Sequence, residues 1–349
     1  MATSYIGIDL HRTVIQICVL DDHGTIRAEE RIRYQSLEEG LRAVALVQRY
    51  GPDCRVAVEA LGLNRWFVNA CREAGLDVLV CDPRKLDLKK LGKKTDRRDA
   101  HEIARRLWLG DLDRMARTYY PSDLEYGRRK LLRVRHRIVQ MRQQTINQLR
   151  GMLNAYQIAA PRAVLYTRPS RERLAAIEFP VPELQQAFAA LLAVLEGLQQ
   201  QIDGLNRRVR RLLRDESDVA ILATELPGIG AQSAATLLAE LGDAKRFASP
   251  RAVAAYAGLV PRVSQSADKA HHGRMTKQGN SELRWILSQW AVRLIKDDPL
   301  VQAWAQTLRR RVHKNKARMA LARRLLVGVW IMLTRGEVFD LSRCLGKAS

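Results

Sequence analysis

Cysteine is scarce in this chain and carries no pattern. The five cysteines, Cys18, Cys54, Cys71, Cys81 and Cys344, form an odd set without a CxxC pair. That excludes a paired disulfide framework and a zinc knuckle, and it fits a reducing compartment. Long apolar runs are missing too. The longest, Leu325 to Leu333, falls far short of the ~20 residues that span a bilayer. The opening residues, MATSYIGIDL, lack a charged segment followed by an apolar one, so no secretory leader is expected there. There is no internal repeat and no low-complexity tract. The expectation is a soluble, cytoplasmic protein without a membrane partner.

Acidic residues are the other deficit. The 349 residues contain 37 Asp and Glu against 59 Lys and Arg, a formal net charge of +22. A chain this basic meets a polyanion, because neutralising phosphates releases condensed counterions. The basic residues fall in several separate blocks and not on one amphipathic anchor helix, which disfavours a membrane surface.

Length and a 47% hydrophobic content allow two or three domains, and the pattern changes twice. SYIGIDL, TVIQICVL and TIRAEERIRY read as three short strands of a meander, with Gly24 in the second turn. A helix follows through Leu37, Leu41, Val44 and Val47. Then come the strand CRVAVEA, a helix from Asn64 to Ala74, the strand LDVLVCD closed by Pro83, and a helix from about Asp96. This is an α/β domain with a mixed sheet, residues 1–120.

Residues 121–216 read as long helices. Leu184, Phe188, Leu191, Leu195, Leu198, Ile202, Leu205, Val209 and Leu212 alternate steps of four and three, a coiled-coil seam. Leu131, Val134, Ile138 and Met141 begin a similar seam upstream. The two helices pack as an antiparallel hairpin or zip onto another subunit; spacing alone leaves both open. Between them, Pro161, Pro169, Pro180 and Pro182 predict a loop. Residues 217–349 read as a mostly helical third domain, with a turn-rich stretch from Ala257 to Asn280 and a final helix from about Asn315 to Thr334.

Four carboxylates stand out. Asp9 ends the first strand, Glu59 ends a later one, and Asp96 and Asp99 lie three apart at the start of a helix. Strand-end carboxylates converge on one sheet edge, and a helix start can add two more. Such a group ionises together only when cations neutralise it. Hard oxygen donors select Mg²⁺ or Mn²⁺, which serve phosphodiester chemistry. Taken singly, each residue has a plain structural role as a turn, cap or dipole partner. Their joint order, with Lys93, Lys94, Arg97 and Arg98 beside the last pair, points to an anionic substrate. Actin-like ATPases also open on a GID strand, but Leu10, His11 and Arg12 leave no glycine to cradle phosphate.

LPGIG, Leu226 to Gly230, reads as a helix-hairpin-helix in which Gly228 and Gly230 allow backbone N–H groups to face a phosphate; an ordinary helix turn is the bland alternative. Downstream, Arg262, Ser264, Ser266, Arg274, Thr276, Lys277 and Asn280 crowd one basic stretch. A serine there can attack a phosphodiester if cations stabilise the transition state, though pattern alone does not rank Ser266 above its neighbours. Two basic runs hold no acidic residue. One includes Arg128, Arg129, Lys130, Arg133, Arg135 and Arg137; the other extends from Arg309 to Arg324. One-sign runs on helices favour nucleic-acid tracking over a merely solvated face.

GIDLH, VEA, KTDRRDA, LPGIG, YAGLVPR, the serine of SQSA, GRMTKQGN and HKNKARMALARRLLVGVWIML occur here in the order found in one family. The chain resembles DEDD-type insertion-sequence transposases (the insertion-sequence-110 family, or bridge recombinases), relatives of Piv-type DNA invertases. The resemblance implies a RuvC-like, RNase H-type domain whose metal-binding DEDD residues correspond to Asp9, Glu59, Asp96 and Asp99. It also implies a C-terminal transposase domain whose nucleophile corresponds to Ser266, forming a 5′-phosphoserine link and freeing a 3′-OH. The further implied partners are donor and target DNA, a structured noncoding bridge RNA and other copies of the chain, as a dimer or tetramer, in a bacterial or archaeal cytoplasm. Ala267 stands where the family has glycine, and Thr276 where it has serine. The rival readings are a RuvC-like junction nuclease using water and a non-catalytic nucleic-acid-binding protein.

Overall fold

A glycine in the first strand, Gly7, sets the plan of the N-terminal part. The computed structural model describes residues 3–60, 62–82, 95–112, 118–159, 168–214, 224–266, 269–276 and 278–346. Strands β1 (Tyr5–Leu10), β2 (Val14–Leu20) and β3 (Ile26–Arg33) form the expected meander. Helix α1 (Leu37–Gln48), strand β4 (Arg55–Glu59), helix α2 (Arg65–Glu73), strand β5 (Asp77–Cys81) and helix α3 (Asp96–Trp108) follow. The sheet order is β3-β2-β1-β4-β5. β1 pairs antiparallel with β2 and parallel with β4, so the sheet is mixed, as expected, and compatible with an RNase H-like domain.

Alternation along β1 distributes its residues between two covered faces. Ile6, Ile8 and Leu10 join Val44, Val47, Phe67 and Val68 of α1 and α2 in one core. The opposite face carries Gly7, Cys18 and Ala57, and α3 lies on it through Ala100, Ile103, Ala104 and Leu107. A methyl group on Gly7 would come within 2.2 Å of the Ala100 carbonyl oxygen and 2.4 Å of the Ala104 nitrogen. The missing side chain therefore lets the helix backbone rest directly on the strand.

The chain divides into two units, Met1–Tyr120 and Pro121–Ser349. In the second, α4 (Asp123–Ala155), α5 (Arg168–Ala175) and α6 (Pro182–Arg214) come first. α4 and α6 form an antiparallel hairpin within the chain: Arg135 bonds Asn206, and seven residues on, Arg142 bonds Gln199, seven residues back. The α6 heptad is real but one-sided. Phe188, Leu195, Ile202 and Val209 are buried, whereas Leu184, Leu191, Leu198 and Leu205 are half-buried.

Two expectations fail here. The α4 seam does not run through Leu131, Val134, Ile138 and Met141; Val134 and Met141 are exposed, and the buried stripe is Leu132, His136, Ile146, Leu149 and Leu153. That stripe includes His136, whose hydrogen bonds to Glu282 and Gln140 let it replace an apolar residue. The expected loop between the helices also contains α5. Pro169 sits in its first turn, where a missing N–H costs nothing.

The rest consists of α7 (Ala231–Leu241), α8 (Pro250–Tyr256), the hairpin β6 (Pro261–Ser266) with β7 (Lys269–Met275), α9 (Ser281–Asp297), α10 (Pro299–Arg309), α11 (Lys314–Arg335) and α12 (Leu341–Leu345). The hairpin lies within the stretch that composition marks as turn-rich. α11, close to the expected final helix, centres the core with Leu321, Leu325, Leu326, Val329 and Trp330.

Candidate active site

Register places the first two carboxylates together. Ile8 pairs with Val58 across parallel strands, and Asp9 and Glu59 each follow by one residue at the same end. Their faces agree as well. Asp9 lies two residues after Gly7 and Glu59 two after Ala57, both on the α3 side of the sheet. The close seating of α3 brings its first turn to these strand ends. Thr95 caps that turn, its hydroxyl accepting from the Arg98 amide, and Asp96 and Asp99 lie within it.

Asp9 is 3% exposed and Asp99 6%. Burial pushes the Asp9 carboxyl above the ordinary carboxylate range; the charges of Asp99 and Asp96 push the same way, and His11 opposes them. His11 Nε2 is 3.1 Å from Asp9 Oδ2 and 3.3 Å from Asp96 Oδ1. Arg31 Nη2 reaches Asp96 at 3.7 Å. The Asn64 amide donates to the Glu59 carbonyl at 2.6 Å, tying the end of β4 to the start of α2. Behind the site, burial and the Glu59 charge push the Cys81 thiol up to about 12.

These groups fit a divalent cation. One donor atom each from Asp9, His11 and Asp96 lies within 4.8 Å of the others, and burial raises the cost of leaving Asp9 charged and uncompensated. In the sequence His11 is one residue of GIDLH with no role of its own. Its only sequence signal was position, two residues after Asp9.

Comparisons with known proteins give the chain's family. A family model for DEDD transposases of the IS110 type, described as "Transposase", matches residues 6–158. A second, "Transposase IS116/IS110/IS902 family", matches residues 220–306. A "Probable family 20 transposase" of Pseudomonas aeruginosa is 28% identical over 96% of this chain and 98% of its own length. The "Transposase for insertion sequence element IS1111A" of Coxiella burnetii is 25% identical over 96% and 90%, and that for IS1328 of Yersinia enterocolitica is 27% identical over 96% and 98%.

The chain belongs to the IS110 family of DEDD transposases. It is, in general terms, a DNA-cleaving and recombining enzyme whose substrates are DNA, and no described helix is long and apolar enough to cross a membrane.

In this transposase the remaining predicted residues are spread over both units. Arg97 pairs with Glu29 and Arg98 is exposed on α3. On α4, Arg129 donates to the Ala239 carbonyl, and Arg133 makes two 2.6 Å bonds to Glu240. Lys130 lies over the Tyr126 ring, and Arg137 and Lys130 are exposed, whereas Arg128 is half-buried. Gly228 adopts φ +70°, and Gly230 caps α7; most of the helix expected before them lies outside the described residues. Asn280 caps α9, accepting from the Leu283 amide, and also donates to Glu240 Oε2 at 2.7 Å.

Ser266 ends β6, paired in register with Lys269, and Arg262 and Arg274 lie in the same hairpin. Their side chains, and Ala267 and Lys277 entirely, lie outside the described residues.

Proposed function

We propose that this transposase exchanges DNA strands through a 5′-phosphoserine link made by Ser266, guided by a structured bridge RNA, with Asp9, Glu59, Asp96 and Asp99 holding Mg²⁺ or Mn²⁺. The observation that carries the reading is the convergence of Asp9, Asp96 and Asp99. Among the described residues the buried Asp9 has no arginine or lysine ion pair, only His11.

The step balances simply. The Ser266 Oγ–P bond forms as the P–O3′ bond breaks; the hydroxyl proton leaves serine, and the departing O3′ gains one. Reversal by another strand's 3′-OH rejoins the DNA and restores serine. A divalent cation bound by the carboxylates supplies charge stabilisation to the phosphoryl oxygens. The chain's own residues do the rest: α3 holds two carboxylates at the strand ends, and exposed bases such as Arg98, Lys130 and Arg137 attract phosphates. The +22 charge suits a complex of RNA, DNA and several protomers.

Rapid denaturation during strand exchange tests the reading. A covalent protein–DNA adduct mapping to Ser266, lost in Ser266→Ala with RNA and DNA binding unchanged, is the expected result. Cleavage at normal rates by Ser266→Ala, with no adduct, favours a nuclease that uses water.

A further inference from the structure

We infer that His11 is a nitrogen donor to the cation of the carboxylate site, and that it biases this transposase toward Mn²⁺ over Mg²⁺. The inference rests on the carboxylate cluster holding a divalent ion.

The backbone around His11 is fixed from both sides. Its amide donates to the Val14 carbonyl at 2.8 Å, and its carbonyl accepts from the Tyr34 hydroxyl at 2.6 Å. Tyr34 is packed in the core beside Trp66. The imidazole therefore leaves a braced turn, not a free loop, and reaches back over the end of its own strand.

Its ring nitrogen stands between two acids. Nε2 faces Asp9 at 3.1 Å and Asp96 at 3.3 Å, so in the tautomer protonated there a single N–H would serve two carboxylates. One hydrogen cannot be well aligned with both. With a cation between the three groups, the nitrogen lone pair and both carboxylates point at a common centre, as the 4.8 Å span of their donor atoms permits. The side chain is also 43% exposed, so burying apolar surface does not account for its position.

Donor chemistry sets the direction of selectivity. Mg²⁺ demands near-ideal oxygen coordination and sheds water reluctantly, whereas imidazole nitrogen suits the first-row transition metals. A site of carboxylates alone discriminates weakly between Mg²⁺ and Mn²⁺; one nitrogen tilts it to Mn²⁺.

The test uses the full chain without nucleic acid. Mn²⁺ and Mg²⁺ affinities are measured by calorimetry for wild type, His11→Ala and His11→Asn, and electron spin-echo modulation is recorded on the Mn²⁺-loaded wild type. Directly coordinated ¹⁴N should appear in the wild-type spectrum, which needs no variant to fold. Both variants should lose about tenfold in Mn²⁺ affinity and much less for Mg²⁺, the scale at which site ligands and their supports act. An absent nitrogen signal with an unchanged Mn²⁺-to-Mg²⁺ ratio overturns the inference while leaving the cation site intact. Tighter binding of both ions by the variants also overturns it, since His11 would then be a placeholder that the ion must displace. If wild type binds neither ion, the cation reading itself fails and takes the inference with it.

Discussion

Asp9 and Glu240 are both carboxylates folded out of water, at 3% and 0% exposure, yet they meet that cost in opposite ways. Glu240 is enclosed by partners. Arg133 holds it through two bonds, Asn280 adds a third, and the Tyr256 hydroxyl takes its backbone carbonyl. Among the described residues Asp9 has one imidazole, and the charges of two further carboxylates push its pKa up. A buried acid with a guanidinium of its own is a tie between elements, here α4, α7 and the cap of α9. A buried acid among other acids keeps its proton unless a cation is beside it. Burial alone does not separate the two; the inventory of neighbouring charges does.

Neutralising each acid in turn should separate the two. Glu240→Ala strands part of a buried network and should lower unfolding free energy by about 2–4 kcal/mol, below the full cost of breaking a buried pair because Arg133 is partly exposed. Chemical denaturation reads this directly. Glu240→Gln, which keeps one acceptor, should lose less. Strand exchange per folded molecule should change little in either variant, whereas Asp99→Asn should abolish it. A Glu240→Ala chain as stable as wild type would remove the contrast.

A smaller effect is expected at Gly7. The added methyl of Gly7→Ala meets α3 backbone that cannot swing aside, so the helix must lift, at about 1–3 kcal/mol. Because the lift carries Asp96 and Asp99 with it, strand exchange should fall further than the stability loss explains. Gly151, inside α4 with open space around it, is the control: Gly151→Ala should raise stability by about 0.5–1 kcal/mol, as alanine does in a helix, and leave strand exchange unchanged.

The smallest effect concerns reactivity. Burial pushes the thiols of Cys18, Cys71 and Cys81 up to about 12, so alkylation near pH 8 should be slow in the native chain and fast after unfolding. Rapid native labelling of Cys81 by a thiol reagent would contradict the close packing of α3 on the sheet.

Much of the N-terminal unit was legible because its signals are local. Strand alternation, the Gly24 turn and the position of Asp96 at a helix start each follow from neighbouring residues. The carboxylates were legible as strand-end and helix-start acids, and the sheet register explains their proximity. His11 was not, since its meaning depends on a turn that folds it back over Asp9. The Glu240 network was invisible for a related reason. Arg133 and Asn280 lie in basic stretches of the sequence, and a charge run does not reveal that a fully buried acid 107 residues away bonds one member. The α4 stripe was misread because a hydrogen-bonded histidine occupies a core position that an apolar pattern leaves out.

Thermal stability of wild type and Asp9→Asn, each with and without Mn²⁺, distinguishes a cation ligand from a structural carboxylate. Wild type should be stabilised by the ion, by an amount that grows with its concentration. Asp9→Asn should be at least as stable as wild type without the ion, since a buried charge has been removed, and should gain little from adding it. Equal stabilisation of both proteins by Mn²⁺, or a large loss of stability in ion-free Asp9→Asn, would show that Asp9 is a structural carboxylate like Glu240.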